Sequence, residues 1–180
     1  MDELAKEFGG NPYIFRPNRD VRFSHDKRPY KTSVSGYLAD RPKMASATYL
    51  ECSAQGLFAA TGYYQMASDQ LECYRSALIS SQASIIGKEL QQILDDLNSA
   101  GVEVGGERLK TSPRGVPRDA ENSDLLKYKS LVISGTLSIE KAQDTRKALD
   151  FVAKMLRLGE PLGAWLDHYV GASTLPDTFR

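Results

Sequence analysis

"SATYLECSAQGLFAATGYYQ", Ser46 to Gln65, decides the fold. Leu50 and Cys52 alternate with Tyr49 and Glu51, the period of two required of a strand with one buried face. The polar link Ser53 to Gly56 ends in glycine, so the stretch reads as two strands of a hairpin. Upstream, "YKTSVSGYLA" (Tyr30 to Ala39) reads as a further strand. Asn11 to Pro29 is too rich in Pro, Asn and charge for a central strand, with room for a short extended piece at Val21 to Phe23. Asp2 to Phe8 has the spacing of a short helix that Gly9-Gly10 stops.

Helices follow downstream. Ser68 and Asp69 are placed to cap a segment whose Leu71, Tyr74, Leu78 and Ile79 share one face. Ser84 opens the next, with Leu90, Ile93, Leu94 and Leu97 on a stripe and Gly101 beyond its end. "VEVGGERL" and "KSLVISGTLS" read as strands separated by a Pro/Gly loop from Thr111 to Asp119. Ser138 is expected to start a long helix with Ala142, Leu149, Val152 and Leu156 inward, ended by Gly159. Pro161 then suits the first turn of a last helix, where Leu162, Trp165, Leu166 and Tyr169 line one side. The tail from Gly171 to Arg180 is expected to fray. Strands first and helices later, without βαβ alternation, predict the α+β class. The expectation is a single domain over residues 1–180, a mostly antiparallel sheet packed against several helices.

Composition narrows the function classes. With 41% hydrophobic and 26% charged residues and 180 positions, the chain can bury a core of its own. The formal net charge is zero, which argues against broad electrostatic binding of nucleic acid or anionic lipid. Cys52 and Cys73 form no CxxC and have no histidine partner set, so they read as two buried or half-buried thiols rather than a disulfide or metal site. The start carries no signal-peptide apolar stretch, and no run of ~18 apolar residues occurs. A cytoplasmic location and no membrane partner are the expectation.

Charge is not evenly spread. Ile14 to Ser33 contains Arg16, Arg19, Arg22, Lys27, Arg28 and Lys31 against Asp20 and Asp26, a local net charge of +4 that leaves −4 for the rest. Arginine offers a rigid fork for phosphate or carboxylate, and lysine a mobile point charge. Arg16, Arg19, Arg22, Lys27 and Lys31 are therefore candidate ligand-binding residues. Asp20, Asp26 and Tyr30 are candidates to orient groups or move a proton. Arg19 and Arg22, three apart, would share a face only in a helical turn. Arg, Asp and Tyr networks also brace irregular loops, and the segment alone leaves site and brace both open. On the Pro/Gly loop, Arg114 and Arg118 are weaker candidates, able to clamp a polyanion only if the loop meets the first segment.

"RDVRFSHDKRPYKT" resembles the signature of the bacterial family named domain of unknown function 2461. Onto its Arg-Asp-x-Arg-Phe…Asp-Lys…Tyr-Lys pattern fall Arg19, Asp20, Arg22, Phe23, Asp26, Lys27, Tyr30 and Lys31, with Arg16 as the upstream arginine. "GYYQMASDQLECYR", "PRGVPRDAENSDLLKYKSL" and "EPLGAWLDHYV" are similar to later segments of that family, so the likeness runs from about Phe15 to Val170. The resemblance implies no activity, because none is established for the family. Its members carry a further N-terminal helical segment with Asn and Trp-Phe landmarks. Before Ile14 this chain shows no such landmarks, which leaves two expectations open: a start assigned too late, or a shortened N-terminal segment over residues 1–14. An apolar patch left exposed, or used in a homodimer, is the expected consequence.

Other chemistry is thin. There is no GxxxxGK[ST], GxGxxG, GxSxG or HExxH, so no cofactor and no metal are expected. His25 and His168 read as exposed histidines, and Tyr49, Tyr63 and Tyr64 as strand formers or a stacking platform. The leading function class is a small anionic ligand site, with a nucleic-acid-binding module or a structural brace as alternatives.

Overall fold

The computed structural model describes residues 1–19, 22, 25, 27–39, 47–117 and 120–175. Six antiparallel strands form one sheet in the order β1-β2-β3-β4-β6-β5: β1 (Asn11–Ile14), β2 (Val34–Ala39), β3 (Ala47–Ser53), β4 (Gly56–Tyr63), β5 (Glu103–Gly105) and β6 (Leu131–Ser138). The helices are α1 (Asp2–Phe8), α2 (Ser68–Ile79), α3 (Ala83–Ser99), α4 (Ile139–Ala142) and α5 (Thr145–Tyr169), with a 3-10 turn at Leu125–Lys127. The class is α+β.

The hairpin β3-β4 forms as its alternation requires, with Leu50 opposite Ala59, Cys52 opposite Leu57 and the turn closing at Ser53 and Gly56. Leu57, Ala59, Thr61 and Tyr63 of β4 turn to one face, continued on β6 by Leu137, Gly135, Ile133 and Leu131. α5 lies on that face, close enough that a Cβ at Gly135 would stand 3.2 Å from Met155 Sδ. α2 and α3 complete the layer, with Tyr74 and Leu78 of α2 and Leu90 of α3 fully buried. The Tyr74 hydroxyl, deep in this core, donates to the Leu125 carbonyl at 2.8 Å. Burial pushes its pKa far above the ordinary phenol value.

Several expectations are corrected. The long helix starts at Thr145, where Asp144 accepts from the Arg146 and Lys147 amides, and only α4 follows Ser138. Gly159 does not end it. α5 runs unbroken through Gly159 and Pro161 to Tyr169, because Leu162, Trp165 and Leu166 continue the buried stripe. Ile79 of α2 is exposed, since α3 departs just beyond it. Ser68 and Asp69 do not cap α2: the N-cap is Ala67, whose amide donates to the Gln70 side chain, and the Asp69 carboxylate accepts from the Ser173 and Thr174 hydroxyls and the Thr174 amide. The tail, expected to fray from Gly171, is thereby held through Thr174. Both cysteines are unpaired and exposed. Cys52 faces the helices but sits at the open end of the sheet, and Cys73 lies on the solvent side of α2, one residue before buried Tyr74.

Candidate functional site

The site is built on the first hairpin of the sheet. β1 pairs with β2 from Asn11 opposite Ala39 to Ile14 opposite Gly36, and pairing continues past the named strands, with the Phe15 amide donating to the Ser35 carbonyl. Beyond this the chain crosses itself again at Asn18 and Tyr30. There the Arg19 amide donates to the Pro29 carbonyl at 2.9 Å and the Lys31 amide to the Pro17 carbonyl at 2.8 Å. Residues 16–19 and 29–31 are therefore a hydrogen-bonded outward extension of the β1–β2 pair. Pro17 and Pro29 suit a stem of this kind, where neither needs to donate.

Pairing fixes the sides of the stem. Arg19 and Lys31 flank the Asn18–Tyr30 pair and share one side, while Asn18 and Tyr30 take the other. The Lys31 ammonium lies 5.5 Å from the centre of the Phe15 ring. The Lys31 side is thus continuous with the sheet face turned away from the helices. Tyr30, 62% exposed, stands on the opposite side and does not join it. Arg16, Arg22, Lys27 and His25 are exposed and Arg19 is half-buried. Arg22 lies in a bend. Asp20, Asp26, Arg118 and the Val21–Phe23 piece lie outside the described residues, apart from Arg22.

The sheet face beside Lys31 carries a row of rings. Register brings Tyr13 opposite Tyr37, Tyr37 opposite Tyr49 and Glu51 opposite Phe58. Ring centres are 5.2 Å apart for Tyr13 and Tyr37, 5.6 Å for Phe15 and Tyr37, 6.4 Å for Phe15 and Tyr49, and 6.2 Å for Tyr49 and Phe58. Such offset and edge contacts stabilise aromatic pairs beyond their buried area. Among the described residues no helix covers this face, because α1 and α5 pack on the other one. One carboxylate stands in the row: Glu51 accepts from the Tyr49 hydroxyl at 2.6 Å. Burial, and then this bond to an anion, raise the Tyr49 pKa and keep the phenol protonated at neutral pH.

The second basic segment is elsewhere. The chain between β5 and β6 leaves the sheet at Gly105, opposite Val132, at the edge farthest from β1. Five strand spacings separate the two edges, about 24 Å, and the two segments leave from opposite ends of the strands. Arg114 and the basic hairpin are not brought together. Arg108 is engaged locally, with its guanidinium 4.3 Å over the Tyr128 ring and donating to the Asp124 carbonyl at 3.2 Å. Asn122 pins the same loop by donating to the Leu78 and Ala83 carbonyls.

Sequence reasoning found the cations and missed most of the rings. Tyr13, Phe15, Tyr37 and Phe58 drew no attention because they are spread over β1 with its extension, β2 and β4, and only register assembles them. A partial signal is the alternation of β4, where Phe58 stands between Leu57 and the buried Ala59 of the opposite face. Of the named tyrosines, Tyr49 is in the row and Tyr64 is exposed beyond it, whereas Tyr63 points inward and donates to Asp167 at 2.8 Å. His168 is exposed and packs edge-on against Tyr169. Among the described residues no group of three or more His, Cys, Asp or Glu is placed to hold a metal ion.

A family model described as conserved hypothetical protein (DUF2461) matches residues 1–165. The chain belongs to this family. The DUF2461 match takes in the basic hairpin, the ring row and α1, so it begins ahead of the Phe15 to Val170 likeness. No curated protein and no solved structure matches the chain. No described helix is long and apolar enough to cross a membrane.

Proposed function

We propose that this DUF2461 member binds a small ligand bearing a phosphate or carboxylate, held by the β1–β2 hairpin. The observation that carries this reading is that Lys31 and Arg19 share one side of a backbone-bonded stem, with the Lys31 ammonium 5.5 Å from the Phe15 ring. A stem held by two backbone amide bonds displays its cations with less ordering cost than a loose loop. Lys31, already against Phe15, supplies a mobile charge, and Arg16 an exposed guanidinium fork.

A second reading has its own support. Arg19, Arg22, Lys27 and Arg28 each already take part in a contact, as members of a brace would. One experiment separates the two. Thermal shift at low salt is measured with phosphate, sulfate and dicarboxylates on the wild type, Lys31→Ala and Arg22→Ala. The ligand reading expects stabilisation by one anion, lost in Lys31→Ala while the unliganded melting point stays within about 2 °C. A flat wild-type response, with a melting point lowered sharply by Arg22→Ala alone, replaces it with the brace.

A further inference from the structure

We infer that the ring row is a base-stacking platform, and that the phosphate-bearing ligand is single-stranded nucleic acid laid across β1 to β4. This rests on the anion reading above and names its ligand class. Three observations lead to it. Tyr13, Phe15, Tyr37, Tyr49 and Phe58 form one connected set of rings over four adjacent antiparallel strands. The span, three strand spacings or about 14 Å, matches the scale on which a four-stranded sheet stacks two or three bases. A cation meets the rings at one border, where the Lys31 ammonium stands 5.5 Å from the centre of the Phe15 ring.

This division of labour is what a single strand needs: flat apolar surface for bases and positive charge along one side for phosphates. A free carboxylate or inorganic phosphate has no use for the rings. Double-stranded nucleic acid, its bases paired and stacked, could not reach them. Glu51 adds a constraint. A carboxylate in mid-row repels phosphate but accepts from base N–H groups, so the phosphates run on the Lys31 side and the base edges reach toward Glu51. The Tyr49 hydroxyl, donating to Glu51 Oε2, holds that carboxylate in place and leaves further lone pairs for a base. Net neutrality of the whole chain fits a short footprint, in which few phosphates are contacted and the salt dependence is shallow.

The test is fluorescence anisotropy with a labelled ten-nucleotide single-stranded RNA and its DNA counterpart, at low salt, beside titrations with a mononucleotide and inorganic phosphate. The inference expects the oligonucleotide to bind at least tenfold tighter than the mononucleotide. Tyr13→Ala, in an exposed ring, and Tyr37→Leu should each weaken it about 5- to 100-fold, with an unchanged circular dichroism spectrum for Tyr13→Ala. Lys31→Ala should weaken the oligonucleotide and phosphate alike. Phosphate bound through Lys31 with no gain for the oligonucleotide overturns the stacking inference and leaves the anion reading standing. So does oligonucleotide binding that Tyr13→Ala and Tyr37→Leu leave unchanged. No binding of any of the four ligands overturns both.

Discussion

Gly159 is the point at which α5 comes closest to the sheet. A Cβ added there would drive into Thr61 Cγ2 and stand 3.1 Å from Ile133 Cδ1. Thr61 cannot easily turn aside. It is buried, β-branched and within a strand, and its hydroxyl is tied to Thr48 at 3.3 Å. Alanine would gain up to about 1 kcal/mol of helix propensity against an overpacking cost of about 1–3 kcal/mol. Gly159→Ala is expected to destabilise by about 1–2 kcal/mol in urea unfolding. Thr61→Ser removes the obstructing methyl, so the same change in that background should cost markedly less. Equal costs in the two backgrounds would show that the close approach to Thr61 does not govern this position. The sequence reading took Gly159 for a helix stop because glycine commonly is one. Its role in admitting a strand side chain depends on a residue nearly a hundred positions away.

At the scale of elements, α5 departs furthest from what local sequence suggests. Pro161 lacks the amide that would bond the Arg157 carbonyl, and its ring crowds the turn before it. Helix rules therefore place an end near Gly159, yet the buried series Val152, Met155, Leu162, Trp165 and Leu166 continues past the proline in one unbroken helix. Tertiary burial has overridden local preference. Since Pro161 is itself exposed, Pro161→Ala should restore the missing bond without disturbing the core. A gain of about 1–2 kcal/mol is expected once the lost stiffening of the unfolded chain is subtracted. A lower melting point would mean that the proline sets a bend on which the packing of Trp165 depends. Legibility follows the same division. α1, β2, the β3-β4 hairpin and α3 were readable because period, stop signal and burial agree within a few residues. The basic stem was readable as charge, but its pairing at Asn18 and Tyr30 was not, since prolines and polar residues give no period. The ring row could not be read at all from single strands, because it exists only in the register between them.

For the whole molecule, zero net charge conceals a division between a basic hairpin of +4 and an acidic remainder. Several acids of that remainder are structural. Asp69 is held below the ordinary carboxylate range first by the Thr174 amide, Asp124 by the Lys127 ammonium, Glu140 by the Ser138 hydroxyl and Asp144 by the Lys147 amide. Between them they fix the tail, the turn before β6 and the starts of α4 and α5. A carboxylate whose folded pKa lies below its unfolded value stabilises the fold at every pH above the unfolded pKa, and that contribution fades as pH falls through the folded one. The direction is the same for all four groups, so their effects accumulate on the acid side. Protonation also removes negative charge from the remainder while the hairpin keeps its cations, and self-repulsion then adds to the loss. The melting temperature is expected to stay level from pH 7 to about pH 5 and to drop steeply below about pH 4. Asp69→Asn, which keeps the shape of the tail contact but not its charge, should lower the neutral plateau and make the acid slope shallower. A steep loss already between pH 7 and pH 5 would instead show that these four carboxylates do not set the acid limit of the fold.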